Sequence, residues 1–130
     1  MIGINNVTII GNVGTVGEVM TNTNGTKFVN LLVATTESFT TMTKEKKTNT
    51  QWHNVVLWNT MTELQKMLSK GDLLFVEGRL NYRKKSPSQI FTEIVAKNIR
   101  ILNKKNHHNS EIKVDLDDII DEDFNSEIEI

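Results

Sequence analysis

Alternation of apolar and polar positions runs through the first hundred residues. It predicts strands over 6–12, 27–36, 51–58, 73–82 and 90–102, with a shorter extended stretch over 17–20. Gly11 and Gly14 near the end of the first strand indicate a bend or a bulge. The segment 22–25 is typical of a turn, because Asn and Gly tolerate positive φ. The strand over 27–36 is largely apolar on both faces, so we expect it to be covered on both sides.

Between the third and fourth long strands the apolar period changes from 2 to 3.6 residues. Thr60 and Glu63 match a capping box, and Leu64 and Leu68 follow at helical spacing. Gly71 stands where a C-terminal glycine commonly ends a helix. The pattern therefore predicts one short α-helix that ends before Gly71.

Two polar, basic segments interrupt the strands. The segment 39–50 carries Lys44, Lys46 and Lys47 and lacks a packing period, so we expect a loop that is mobile without a ligand. The segment 83–88 is predicted to be a basic hairpin loop and contains the only proline of the chain.

Five long strands with one helix between the third and the fourth form the element order of the OB-fold. This fold is an all-β, five-stranded Greek-key barrel that binds oligonucleotides. We predict an OB-fold domain over 1–103. Residues 104–130 have high charge, few aromatic residues and no core-forming face, which predicts a flexible linker and a disordered acidic tail.

Composition agrees with one small globular domain and narrows its chemistry. The chain has 130 residues, 38% of them hydrophobic, and no cysteine, which excludes disulfides and thiolate metal sites. The net charge of -1 hides a division along the chain. Residues 111–130 hold nine acidic residues against Lys113, whereas residues 1–110 hold 14 basic and 7 acidic residues. A basic body with an acidic tail is typical of proteins with nucleic-acid partners.

The candidate catalytic residues are few and scattered. His53 lies in a predicted strand, while His107 and His108 are adjacent and lack a nearby acid, which makes a poor metal site. The carboxylates of the body occur singly and give no acid–base pair. We expect no enzymatic activity, no metal and no cofactor.

The residues suited to single-stranded nucleic acid are more numerous. Binding without sequence readout uses flat aromatic faces for the bases and cations for the phosphates. The candidate stacking residues are Phe39, Trp52, Trp58 and Tyr82. The candidate phosphate-binding residues are Lys44, Lys46, Lys47, Lys70, Arg79, Arg83, Lys84 and Lys85.

Burial in the core is the alternative role for the two tryptophans. His53, Val55 and Leu57 already supply an apolar face on the same strand, which favours base stacking for Trp52 and leaves Trp58 open. We assign three phenylalanines to the core: Phe28, Phe75 and Phe91.

Several strings of residues resemble the bacterial single-stranded DNA-binding protein family. They are Asn-Val-Thr-Ile-Ile-Gly-Asn-Val-Gly at 6–14, Ala-Thr-Thr-Glu-Ser-Phe at 34–39, Gln-Trp-His-Asn-Val-Val-Leu-Trp at 51–58, Leu-Ser-Lys-Gly at 68–71 and Val-Glu-Gly-Arg-Leu at 76–80. The resemblance covers about residues 4–102. It implies an OB-fold homotetramer that wraps single-stranded DNA without sequence preference in replication, recombination and repair.

The resemblance also implies roles for particular positions. Phe39, Trp52 and Trp58 fall where the family has stacking aromatics, Lys70, Arg83 and Lys84 where it often has cations, and His53 at a position associated with subunit contacts. Lys85 departs from the pattern, because many members have an aromatic residue there, and Tyr82 is a candidate substitute.

The acidic tail departs from the family pattern as well. Family members dock replication and repair proteins on a short acidic tip that ends in Pro-Phe. Here the corresponding residues are Asp121, Glu122, Asp123 and Phe124, without the proline. A variant hydrophobic tip for partner docking and a purely electrostatic tail both remain open.

Two alternative functions stay open from the sequence. One is an OB module that mainly contacts other replication proteins, although such modules tend to lack an acidic tail. The other is an RNA-binding OB protein, since no residue identifies a reader of the 2′-hydroxyl. The source is a bacterium, a phage or an organelle, and the acidic tail and the missing transit peptide favour the first two, which predicts a cytoplasmic, nucleoid-associated or phage-encoded protein.

Overall fold

A computed structural model describes residues 3–105, which form six strands and one 3₁₀ helix. The elements are β1 (Val7–Val16), β2 (Met20–Thr21), β3 (Lys27–Thr40), β4 (Lys46–Trp58), the 3₁₀ helix (Asn59–Met67), β5 (Leu73–Ser86) and β6 (Gln89–Asn103). Five of the strands are long, and the helix lies between the third and the fourth of these. The predicted all-β class and element order are confirmed.

Strand β1 closes the sheet into a barrel by pairing at both edges. The strand order is β1-β5-β6-β4-β3-β2, and β1 pairs in addition with β3. Its first half is antiparallel to β5, from Val7 opposite Gly78, and its second half is antiparallel to β3, as far as Val16 opposite Leu31. The register with β3 shifts at Gly14, the extra residue of a bulge. The bend predicted near this glycine is confirmed.

The core is formed by the inward positions of the long strands. Its fully buried side chains are Val29, Leu31, Val33, Val55, Leu57, Leu74 and Val76. Burial of each such side chain stabilises the fold by roughly 1.5–3 kcal/mol relative to exposure. Met61 and Leu64 of the 3₁₀ helix and Leu68 just after it pack against this cluster. The helix therefore contributes apolar side chains to the barrel core.

The helix itself differs from the prediction. The chain leaves β4 at Trp58 and turns immediately with Asn59 at a φ of 59°. Thr60 therefore lies inside the helix, and no side chain caps its first turn. The predicted capping box is wrong for this reason. Gly71 does adopt a positive φ of 95°, but in the turn before β5 and not at the helix end.

Both predicted basic loops are mostly strand. Thr36 to Thr40 pair in regular register with Thr50 to Lys46, which leaves only the turn at 41–45. That turn is closed by the amide of Thr41, which donates to the carbonyl of Glu45 at 2.8 Å. The sequence does not reveal this hairpin, because a two-stranded arm that projects beyond the core has no apolar face and therefore no alternation of apolar and polar residues. The segment 83–88 likewise contains the end of β5.

A buried carboxylate ties the end of the barrel strand β6 to the helix. Asp72 is fully buried and accepts hydrogen bonds from Lys104 Nζ at 2.7 Å, the Lys105 amide at 2.9 Å and the Ser69 amide at 2.8 Å. Lys104 also donates to the carbonyl of Met67. Burial alone would raise the pKa of Asp72, but these hydrogen bonds and the Lys104 charge outweigh it and lower the pKa.

We expect Asp72→Asn to destabilise the protein by about 1.5–3 kcal/mol, because it removes hydrogen bonds to a buried charge. The lowered pKa gives the sign of the pH dependence. The contribution of Asp72 is present above about pH 4 and is lost as the pH falls through the folded-state pKa. Urea unfolding at pH 7 and at pH 3 measures both effects.

The matched control for this variant is Glu63→Gln. Glu63 lies 3.7 Å from Lys66, and both side chains are about three-quarters exposed, so this ion pair contributes little. Equal stability of Asp72→Asn and Glu63→Gln at neutral pH would contradict the role assigned to Asp72.

Candidate nucleic-acid interface

Trp52 presents an exposed indole ring that packs on the backbone at Gly14, which we call its glycine seat. The residue is paired with Ala34 in the β3–β4 ladder, and 54% of its surface is exposed. A Cβ atom built on Gly14 would lie 2.3 Å from Cζ3 of the indole ring. The ring therefore rests on the backbone of the β1 bulge, at a spot that only a glycine leaves open. This arrangement leaves much of the indole accessible to a base.

Trp58 has a more enclosed position. It is half-buried and pairs with Phe28 across the β3–β4 ladder, with ring centroids 5.3 Å apart and an interplanar angle of 41°. Phe28 thus packs on the outer side of the sheet with Trp58. The prediction that Phe28 belongs to the core is wrong, because the core side of this strand is filled by its neighbour Val29.

The predicted binding residues of β3 and β4 lie on two opposite faces of the β3–β4 ladder. The register is continuous from Thr40 opposite Lys46 to Phe28 opposite Trp58, without a bulge. Alternation therefore places Trp52 and Trp58 on one face, as predicted. Phe39 lies on the other face, opposite Lys47, and is 51% exposed. The three predicted stacking residues of this ladder therefore do not form one continuous surface for stacked bases.

The predicted phosphate-binding residues are all exposed, but they occupy different parts of the surface. Lys44 lies in the turn of the β3–β4 arm at a φ of 67°, and Lys46 and Lys47 follow on alternate faces of β4. Lys70 lies between the helix and β5. The rest lie on β5: Arg79, Arg83, Lys84 and Lys85.

The β5–β6 arm contains an aromatic residue that the sequence analysis placed in the core. Phe91 is 40% exposed and pairs with Arg83. The guanidinium carbon of Arg83 and the ammonium of Lys85 lie 5.9 Å and 4.9 Å from the ring centroid. The core prediction for Phe91 is wrong, because β5 and β6 run on beyond the barrel and the ring has no opposing layer. The sequence did contain a signal for this exposure, because the segment opposite Phe91 in the predicted hairpin is basic and includes Arg83 and Lys85.

Tyr82 lies on the opposite face of the same arm. It pairs with Thr92 and is 66% exposed. Alternation places it with Lys84 and Ile90, away from Phe91 and Arg83. Phe75, the third phenylalanine assigned to the core, is half-buried opposite Ile10 on the outer side of the β1–β5 ladder.

His53 is half-buried beside the core. Its Nε2 lies 2.8 Å from the hydroxyl of Thr35, and burial lowers the pKa of the imidazole. Its subunit-contact role stays a prediction. The tail residues Asp121, Glu122, Asp123 and Phe124 lie outside the described residues, and the domain boundary at 103 also stays a prediction.

Within residues 3–105, no three His, Asp or Glu side chains come together as a metal site. No helix in that part of the chain is long and apolar enough to cross a membrane.

The barrel and its aromatic and cationic arms define an OB-fold protein with a surface suited to single strands. The chain belongs to the single-strand binding protein family, whose model matches residues 4–102. A single-stranded DNA-binding protein of Rickettsia felis is 35% identical over 117 residues, covering 82% of this chain and 77% of its own length. Single-stranded DNA-binding protein 1 of Xylella fastidiosa is 34% identical over 115 residues. The match covers 84% of this chain and 85% of the Xylella protein.

Solved structures agree with the fold. The Plasmodium falciparum SSB in complex with ssDNA superposes with a TM-score of 0.69 and 25% identity, over 79% of this chain and 98% of that one. The wild-type single-stranded DNA binding protein from Thermus aquaticus gives a TM-score of 0.67 and 28% identity, over 79% of this chain and 52% of that one.

We expect Gly14→Ala to lift the Trp52 ring from its seat, because the added methyl group overlaps the indole. In a Trp58→Phe background, the emission of Trp52 should move to longer wavelength as the ring gains contact with water. Gly3→Ala is the control, since a Cβ there meets no atom within 4 Å. Identical emission maxima for the two variants would contradict this seating of Trp52.

Proposed function

We propose that this protein binds single-stranded DNA without sequence preference and involves no chemical step. The observation that carries the proposal is the exposed Trp52 ring on its glycine seat. Every base has a π-face, so stacking on such a ring is tolerant of sequence. A half-exposed indole held in a fixed position loses little conformational freedom when a base stacks on it.

Cations beside the aromatic residues supply the attraction for the phosphates. Arg79, Lys84 and Lys85 extend along β5, and Lys46 and Lys47 extend along β4, all exposed. Neutralising phosphates with such side chains releases counterions. Affinity should therefore fall with salt, with a log–log slope of about −0.7 per phosphate contact on a single strand.

The comparisons support the nucleic acid in this proposal. The related proteins of Rickettsia felis and Xylella fastidiosa are named single-stranded DNA-binding proteins, and the Plasmodium falciparum relative is in complex with ssDNA. By this similarity, the protein protects and organises single-stranded DNA during replication, recombination and repair. Its place of action is then the bacterial cytoplasm, at the nucleoid, or a phage-infected cell.

Self-association and tail docking complete the proposal. One barrel offers a short footprint, so a homotetramer would allow a long strand to wrap over several barrels. His53 is our candidate for a subunit contact. The acidic residues 121–123 with Phe124 would dock replication and repair proteins.

Titration of intrinsic fluorescence with oligo-dT tests the function. Binding should quench the tryptophans, and Trp52→Ala should weaken binding by about 1–3 kcal/mol per stacked base. Trp58→Ala should have a smaller effect, because its ring is already packed against Phe28. Oligo-U in parallel distinguishes an RNA-binding protein.

Trp52→Phe is the matched control, because it keeps an aromatic face on the same seat. It should retain much of the affinity that Trp52→Ala loses. Parent-like binding by a folded Trp52→Ala protein would refute the stacking role.

Light scattering tests the oligomeric state. At micromolar concentration the protein should have about four times the 14.8 kDa mass of the chain. A mass equal to one chain would contradict the tetramer and leave single-strand binding to be judged by titration alone.

A further inference from the structure

Phe91 is an exposed aromatic residue that has no role in the core. Its ring is 40% exposed on the arm formed by the ends of β5 and β6. Two cations contact it, Lys85 at 4.9 Å and Arg83 at 5.9 Å from the ring centroid. An aromatic face flanked by cations has the composition of a base-stacking site.

Strand register links Phe91 to Trp52. The two strands β4 and β6 are parallel, and Val56 is paired with Val95. Trp52 lies four residues before Val56, and Phe91 lies four residues before Val95. The β3–β4 ladder is regular over 52–56 and the β5–β6 ladder over 91–95, so both rings are on the outer side, towards the same end of the barrel.

The acidic side chain nearest to Phe91 on its own strand face, Glu93, is neutralised. Glu93 lies two residues after Phe91 on the same face and is 5% exposed. It is 3.3 Å from Arg83 Nη2 and accepts a hydrogen bond from Asn81 Nδ2 at 3.1 Å. Arg83 is thus held by Glu93 against the Phe91 ring, where it cancels a charge that would repel phosphates. We regard it as a positioning residue for Phe91.

Lys85 differs from Arg83 in how it is held. It is the extra residue at a register shift between Lys84 and Ser86, and its ammonium rests on the Phe91 ring. A cation–π contact at such an exposed site is weak. An arriving base can therefore displace the ammonium from the ring face, and the freed cation is then close to the phosphates of the same strand.

We propose that Phe91 is a base-stacking residue, and that a single strand runs over the outer face from Trp52 to Phe91. Displacement of Lys85 from the ring accompanies stacking. The inference rests on the proposed single-strand binding function and adds a site to it. Tyr82 does not serve this path, because it lies on the opposite face of the arm.

Substitutions on the arm test this assignment in the full chain. Phe91→Leu keeps an apolar side chain but removes the π-face, and we expect it to weaken oligo-dT binding by about 5- to 150-fold. Phe91→Tyr should retain binding. Ile90→Ala is the matched control, because Ile90 is a 64% exposed neighbour on the opposite face. Thermal melts confirm that each variant is folded.

A spectroscopic measurement separates stacking from a structural effect. Phe91→Trp combined with Trp52→Phe and Trp58→Phe places the only tryptophan of the chain on the arm. Oligo-dT should quench its emission on binding. Binding without quenching, or parent-like affinity of a folded Phe91→Leu protein, would overturn the proposal.

The outcomes distinguish this proposal from the function on which it depends. If the parent protein fails to bind oligo-dT, both fall. If the parent binds and Trp52→Ala weakens binding while Phe91→Leu does not, single-strand binding stands and the Phe91 site is refuted.

Discussion

The structure depends on a single strand that pairs at both edges of the sheet. β1 must follow β5 in its first half and β3 in its second, and the extra residue Gly14 allows the change of partner. Closure removes both long edges of the sheet, which would otherwise leave a row of backbone amides and carbonyls unpaired. The same bulge brings bare backbone under the Trp52 ring. Barrel closure and the main candidate stacking residue thus share one local feature.

A second consequence of the barrel is that its binding residues lie on arms with little core behind them. The ends of β3 with β4 and of β5 with β6 extend past the packed layers as two-stranded ribbons. Aromatic residues on such ribbons have no opposing layer to bury them, so Phe39, Tyr82 and Phe91 remain exposed. These exposed rings do not stabilise the folded chain, but the bases of a bound single strand can pack against them.

Charge is arranged to suit the same surface. Asp72 and Glu93 are the buried carboxylates of the described residues, and each is partnered, Asp72 by Lys104 and Glu93 by Arg83. Asp72 thereby connects the residues after β6 to the residues that follow the helix. Glu93 leaves no unpaired negative charge beside Phe91. The remaining cations on β4 and β5 are exposed, where phosphates can reach them.

Side-chain alternation and glycine content act over a few residues. The sequence by itself therefore determined the central parts of the long strands, the element order and the position of the bulge, and it favoured an exposed Trp52. Tertiary structure decided the rest. The segments at 39–50 and 83–88 are strand because a partner strand supplies their hydrogen bonds, which composition does not reveal. The helix is 3₁₀ and begins with a turn at Asn59 directly after β4, whereas the side-chain period predicts only a helix. Phe91 is exposed because no layer of the described residues packs against the end of β6. Phe39 lies on the face opposite to Trp52 because the pairing of β3 with β4 sets which side chains share a face.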